Sequence, residues 1–224
     1  MGAVFSDSEA IAAITGADVI LLAIKPQTMP AVLEQLSASV RPGQLVLSVA
    51  AGITIESIER QLGSEVNVIR SMPNTPALIG HGITGITADA SCADHQRDQA
   101  EEILAAAGEV VWLEDESLMD AVTAISGTGP AYYFLLTEAL SGAARELGLP
   151  PETADRLAAM TCFGAGAMMA TSPDEAVELR RQVTSPGGTT EAAMAVLSAG
   201  SDIGEGVYTL PVLYALAGPD GDEV

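Results

Sequence analysis

The segment Val183-Thr184-Ser185-Pro186-Gly187-Gly188-Thr189-Thr190 stands directly before a stretch of helical spacing, Glu191 to Leu197. Adjacent glycines let a ligand approach the backbone closely. The first amides of a helix have no acceptor within it, so they can bind an anion such as a carboxylate. Hydroxyls on Ser185, Thr189 and Thr190 complete such a cradle. The same residues also read as a helix cap in which Thr189 or Thr190 satisfies backbone donors, and both readings stay open. A second glycine- and hydroxyl-rich run, Ser126-Gly127-Thr128-Gly129-Pro130-Ala131-Tyr132, leads into a long helix but follows no strand. It is therefore no dinucleotide fingerprint, and tight helix packing at a subunit contact is its expected role.

Three further segments follow apolar runs and would lie at strand ends: Ala23-Ile24-Lys25-Pro26-Gln27, Ala50-Ala51-Gly52 and Met72-Pro73-Asn74-Thr75-Pro76. An open doubly wound sheet binds its ligand beyond the carboxyl ends of its strands, where these small, kinked or polar residues stand. Each alone is also ordinary strand-to-helix loop chemistry. Lys25, the only lysine, would bring an ammonium group to a ribose or phosphate from such an end, or would simply be solvated. Glu116 precedes a helical stretch beginning at Ser117, where an acid favours the helix dipole.

The elements that must carry these residues divide at about position 115. Before it, Val19 to Ile24, Leu45 to Val49 and Val66 to Ile69 are continuous apolar runs, as in strands covered on both faces. Pro30 to Leu36 and Ile55 to Leu62 have helical spacing between them; Ile83 to Thr87 and Glu109 to Leu113 add strands around a helix from Ala93 to Ala107. This predicts an α/β domain with a parallel sheet. After it, Ser117 to Ile125, Pro130 to Leu147, Pro151 to Thr171, Pro173 to Val183 and Thr189 to Leu197 read as helices, several opening on proline, so the second domain is all-α. The Pro130 to Leu147 stretch is apolar on most faces and must be buried against other helices or a second subunit. Residues 201–224 are punctuated by glycine and proline and do not read as one helix.

Composition narrows the function further. Thirty acidic residues against nine basic ones give a net charge of −21, with no basic stretch to follow a phosphate backbone, which argues against a nucleic-acid partner. The charge reads as a solvated surface, with a high-salt habitat left open as an alternative. Cys92, Cys162, His81 and His95 lack ligand spacing, so no metal site is expected, and two isolated cysteines fit a reducing cytoplasm. No run of ~18 apolar residues and no signal-peptide charge pattern point to a membrane. Met1-Gly2-Ala3-Val4-Phe5-Ser6 matches the loose myristoylation pattern without a second membrane signal.

Taken in order, AIKPQ (23–27), VAAGI (49–53), IRSMPNTPA (69–77), DAVTAISGTGPAY (120–132) and VTSPGGTTEAAM (183–194) resemble pyrroline-5-carboxylate reductase, from about Asp7 to Gly200. The resemblance implies a Rossmann-type parallel sheet domain over residues 1–115 and a helical dimerisation and substrate domain over 116–200, followed by an atypical tail. It implies NADP(H) as cofactor, with NAD(H) as the other option, a small-molecule substrate, and a homodimer or higher homo-oligomer. The implied reaction passes a hydride from the reduced nicotinamide to the imine of 1-pyrroline-5-carboxylate, giving proline. Carried over by position, Ala23, Ile24, Lys25, Pro26 and Ala51 match cofactor-contacting residues, with Ser8 and Gln182 as weaker matches. Glu116 and Thr189 match substrate contacts, the Ser185 to Thr190 stretch holds the substrate carboxylate, and Thr190 faces the ring nitrogen as the catalytic candidate.

Two departures accompany the match. The family opens with a strand, a glycine-rich turn, a helix and a second strand, about 60 residues at ~30 per βαβ unit, and that portion has no counterpart here. This implies a truncated, amino-terminally partial cofactor half. A non-catalytic dimerisation module and a related imine or β-hydroxyacid reductase therefore stand as alternatives. Gly206 to Leu216 is similar to a segment of trans-prenyl diphosphate synthases without their aspartate-rich motif, which reads as a fused or frameshifted gene end.

Overall fold

The computed structural model describes residues 13–199, with side chains through 195. The chain divides into two compact units, residues 1–128 and 129–224.

The first unit is built on five strands: β1 (Val19–Leu22), β2 (Leu45–Ser48), β3 (Asn67–Met72), β4 (Gly82–Ala88) and β5 (Gly108–Trp112). Each pairs with the next in sequence, so the sheet order is β1-β2-β3-β4-β5. Helices α1 (Met29–Leu36), α2 (Ile55–Leu62) and α3 (Asp94–Ala105) connect them. One sheet face, Ile20, Leu22, Val46 and Val68, packs on Met29, Leu33 and Leu36 of α1 and Ile55, Ile58 and Leu62 of α2. The other, Leu45, Leu47, Ile69 and Ile86, packs with Ala100 and Leu104 of α3 and with Cys92. Helix α2 shows how local sequence sets an element. Thr54 caps its start by accepting from the Ser57 amide at 3.2 Å, its apolar residues recur at helical spacing, and Gly63 ends it with φ 98°.

Several expectations need correction. The sheet is not wholly parallel: β3 and β4 run antiparallel, whereas β1-β2, β2-β3 and β4-β5 are parallel. The connection from Pro73 to His81 is too short for a crossover, which takes a dozen or more residues. β1 ends at Leu22 rather than Ile24 and is not covered on both faces, since Leu21 is 50% exposed. β3 runs past Ile69 through Arg70 and Ser71, both buried, because the Arg70 charge is paired. The close pairing of β4 and β5 needs Gly108, whose φ is 145° and where a Cβ would collide with the Gly82 carbonyl oxygen.

The expected helix from Ser117 to Ile125 is three pieces: a 3-10 turn Glu116–Leu118, helix α4 (Met119–Val122) and a π turn Thr123–Gly127. In the last, the hydroxyls of Thr123, Ser126 and Thr128 donate back to the carbonyls of Met119, Val122 and Ala124. They are spent on the backbone rather than offered to a ligand. Gly127 packs beside the Met72 methyl, which a Cβ there would push aside.

The second unit contains α5 (Gly129–Glu146), α6 (Pro151–Thr171), α7 (Ala176–Gln182) and α8 (Thr189–Ala199). Helix α7 is shorter than the Pro173 to Val183 expected; Glu175, extended, stands at its start. The α5–α6 hairpin turns through Gly148, φ 94°, and is clamped by Asp155, which accepts from Ser141 Oγ and Arg145 Nη2, both at 2.5 Å. Its buried residues are small: Gly129 and Ser141 on α5, Ala154 and Ala158 on α6. Its large apolar side chains are exposed, Phe134 and Leu135 at 65% and Phe163 at 63% among them. Among the described residues no helix is long and apolar enough to cross a membrane, and no cluster of His, Cys, Asp and Glu is placed to hold a metal.

Candidate functional site

The sequence candidates fall into two groups, one in each unit. In the first, Ala23, Ile24, Lys25 and Pro26 follow β1, and Ala51 follows β2; the parallel register Leu22 to Ser48 sets these two strand ends side by side. Ile24 packs against the core while Ala23, Lys25 and Ala51 are exposed. Lys25 keeps an extended backbone, and its carbonyl accepts from both the amide and the hydroxyl of Thr28, which starts the next turn. Among the described residues its ammonium group has no ion-pair partner. Gly52 turns the backbone with φ 72°, and a Cβ there would meet open space. Small side chains, an open loop backbone and one cation at adjacent strand ends fit a phosphate-bearing ligand with a flat ring. The third strand end behaves differently. Asn74 Oδ1 accepts from the Ile83 amide at 3.0 Å, so this polar residue pins the start of β4. Ser8 lies outside the described residues, as does the tail from 201 to 224.

Glu116 belongs to the first unit, and its carboxylate does not serve its own helix. Oε1 accepts from the Ile55 amide at 3.0 Å, at the amino terminus of α2, and from Arg70 Nη1 at 2.8 Å. One oxygen thus caps the start of α2 and pairs with the guanidinium. Beside it lies a cleft of about 430 Å³ lined by Glu56, Glu59, Asp89, Glu114, Asp115 and Glu116. Burial, then the charges of Asp89 and Glu116, push the Glu59 carboxyl up, whereas hydrogen bonds from Ser91 hold Asp89 below its ordinary range. This acidic lining contrasts with the open, cationic strand end at Lys25.

In the second unit, Ser185, Gly187, Gly188, Thr189 and Thr190 form the turn into α8. Gly187 has φ 71°, which favours glycine, and a Cβ on Gly188 would crowd the Ser185 hydroxyl at 2.9 Å and its carbonyl at 3.0 Å. Thr189 and Thr190 are already helical; neither is the residue before the helix. The Gly187 amide donates to Glu191 Oε2 at 2.7 Å. A carboxylate oxygen thus already occupies one donor of the expected cradle, supplied by a residue to which the sequence reading gave no role. Gln182 stands at the end of α7, its amide donating to Asp174 at 2.9 Å.

Two residues that bond to the candidate site groups had been given no role in the sequence, Arg70 and Glu191. Arg70 did leave a signal, since a charge inside a buried strand must have a partner.

Residues 116–207 match the family model described as pyrroline-5-carboxylate reductase dimerisation, and residues 2–52 match that described as NADP oxidoreductase, coenzyme F420-dependent. The chain is 40% identical to a solved pyrroline-5-carboxylate reductase of Coxiella burnetii, with a TM-score of 0.84 over 92% of this chain and 76% of that one. It is 43% identical over 184 residues to the Haemophilus influenzae reductase, covering 82% of this chain and 68% of that relative. With the Pseudomonas aeruginosa reductase it shares 50% identity over 189 residues, 84% of this chain and 68% of the relative, and it belongs to the pyrroline-5-carboxylate reductase family.

Proposed function

We propose that the protein reduces 1-pyrroline-5-carboxylate to L-proline with NADPH, in the cytoplasm, as a homodimer or a higher assembly of dimers. The observation that carries this is the Ser185 to Thr190 turn. It opens a helix, carries two glycines and already holds a carboxylate oxygen on the Gly187 amide. It does so in a chain whose relatives bear the reductase name at up to 50% identity. A Plasmodium falciparum pyrroline carboxylate reductase, 28% identical with a TM-score of 0.80 over 92% of this chain and 76% of that one, has been solved with NADP bound. That supports NADP(H) over NAD(H).

In this reading residues 1–115 carry the cofactor half and 116–200 the substrate and dimerisation half. Ala23 to Pro26 and Ala51 line the cofactor side, with Lys25 meeting a phosphate or ribose; Ser8 and Gln182 are assigned there by resemblance alone. The backbone from Gly187 to Thr190, with the Ser185 hydroxyl, holds the substrate carboxylate, chiefly through the first amides of α8, since those of Gly187 and Gly188 donate to Glu191 Oε2 and the Ser185 carbonyl; Glu116 contacts the substrate. A reduced nicotinamide held beside Ala23 to Pro26 and Ala51 would supply a hydride for C5 of the C5=N imine, whose nitrogen would take one proton, so that substrate, NADPH and a proton would give proline and NADP⁺. Thr190 faces the ring nitrogen and holds that proton in line, while the cradle fixes C5 toward the hydride donor.

The exposed apolar faces of α5 and α6 support the homodimer, since a second copy would cover Phe134, Leu135 and Phe163. The test is NADPH oxidation by the purified chain with 1-pyrroline-5-carboxylate, and proline identified as product. Replacing Thr190 with Ala should lower kcat/KM about 10²-fold. An assembled oligomer that forms no proline overturns the reading.

A further inference from the structure

Arg70 has a buried guanidinium, 5% exposed, in a strand flanked by the fully buried Val68 and Ile69. Such a charge persists only where its partners are fixed. Its Nη1 donates to Glu116 Oε1 at 2.8 Å, and its Nη2 lies 3.9 Å from Asp120 Oδ1. The same Oε1 accepts from the amide of Ile55, the first residue of α2. Ile55 ends the short run that begins at Ala50 and contains Ala51. One oxygen therefore fastens three pieces of chain: the end of β3, the turn after β5 that bears Glu116, and the helix start that anchors the Ala51 loop. Neither of these bonds uses Oε2.

We propose that Arg70 is a positioning residue, which holds Glu116 by Oε1, leaves Oε2 to the substrate, and by the same bond fixes the Ala51 loop against which the cofactor lies. The proposal rests on the assignment of Glu116 to substrate and Ala51 to cofactor made above. Its consequence is that the two pockets are set by one ion pair, so loosening it disturbs both.

The first test needs no turnover: amide exchange at Ile55 in the full chain and in Arg70→Met, Glu116→Ala and the double variant. Each single change should speed exchange at Ile55 about tenfold, as for one lost hydrogen bond, and the double should add nothing. Exchange at the wild-type rate in Arg70→Met, or an additive double, overturns the proposal. If Arg70→Met does not fold, Arg70→Lys, which keeps the charge but loses the fork, carries the same comparison. The second test is kinetic. Arg70→Lys should raise KM for 1-pyrroline-5-carboxylate and KM for NADPH together, with kcat changed less than about twofold; a rise in only one of them overturns the coupling. A wild-type chain without turnover defeats the functional reading alone, since Ile55 exchange still decides what Arg70 holds.

Discussion

The two units treat their apolar residues in opposite ways. In the sheet unit Leu45, Val46, Leu47, Val68, Ile69 and Ile86 are wholly buried between helices packed on both faces of the sheet, with Leu21 on β1 left half-exposed. In the helical unit the buried positions are glycine, serine and alanine, while Phe134, Leu135, Leu157, Met160 and Phe163 are more than half exposed. The helices of one copy contact each other through small residues and leave the large ones outward. The difference teaches where each unit puts its large side chains: the first buries them within its own chain, the second leaves them outward, where the second copy proposed above would cover them.

The strongest way to break that contrast is to charge the outward face. Phe134→Glu with Phe163→Glu should convert the oligomer to monomer in sedimentation velocity while leaving the unfolding transition of the sheet unit in place. In a symmetric dimer each change is made twice, so at ~2 kcal/mol per ring the pair removes on the order of 8 kcal/mol of association. An unchanged oligomer mass would show that these rings lie outside the interface. Next in size is the closed core: Leu47→Ala should cost about 2–5 kcal/mol by urea unfolding, with oligomer mass unaffected under native conditions.

A smaller effect follows from Cys92, which burial, then the charge of Asp89, pushes up to about 11 from 9.0. Its folded state keeps the proton between those values while the unfolded chain loses it. The stability this thiol contributes is therefore whole below about pH 9 and falls as pH rises toward 11, by about 2 kcal/mol. Urea midpoints at pH 8 and pH 10.5 should differ less in Cys92→Ala than in wild type by that amount; an equal drop in both would remove the thiol as the cause. The smallest effect sharpens the contrast from the helical side. Ser141→Ala removes one bond of the Asp155 clamp and should cost about 1 kcal/mol, read as a lower melting temperature with the dimer intact.

Much of this was legible in the sequence because the signals are local. Continuous apolar runs named three of the five strands, two less regular segments the others, and helical spacing located the helix that Thr54 and Gly63 bound in the structure. Strand direction was not legible, since alternation and apolar runs carry no sense of direction; only the short Pro73 to His81 connection encodes the reversal at β4. The glycine turn before α8 announced a carboxylate cradle through residue type alone, yet the reach of Glu191 back to Gly187 depends on a rotamer that spacing does not specify. Glu116 drew attention as the acid of its own helix. The structure instead gives its carboxylate to α2 and Arg70, a contact across 61 and 46 positions of chain that no local pattern contains.

The consecutive order of the sheet also bears on how the chain is made. Each strand pairs with its predecessor in sequence, so the partner of every new strand has already left the ribosome when that strand appears. Strand addition can follow synthesis, with loop closure never longer than one connecting unit. The helical unit follows the sheet unit in the chain, and in the proposed dimer its outward rings would be covered only on meeting a second copy, a concentration-dependent step where strand addition is first order.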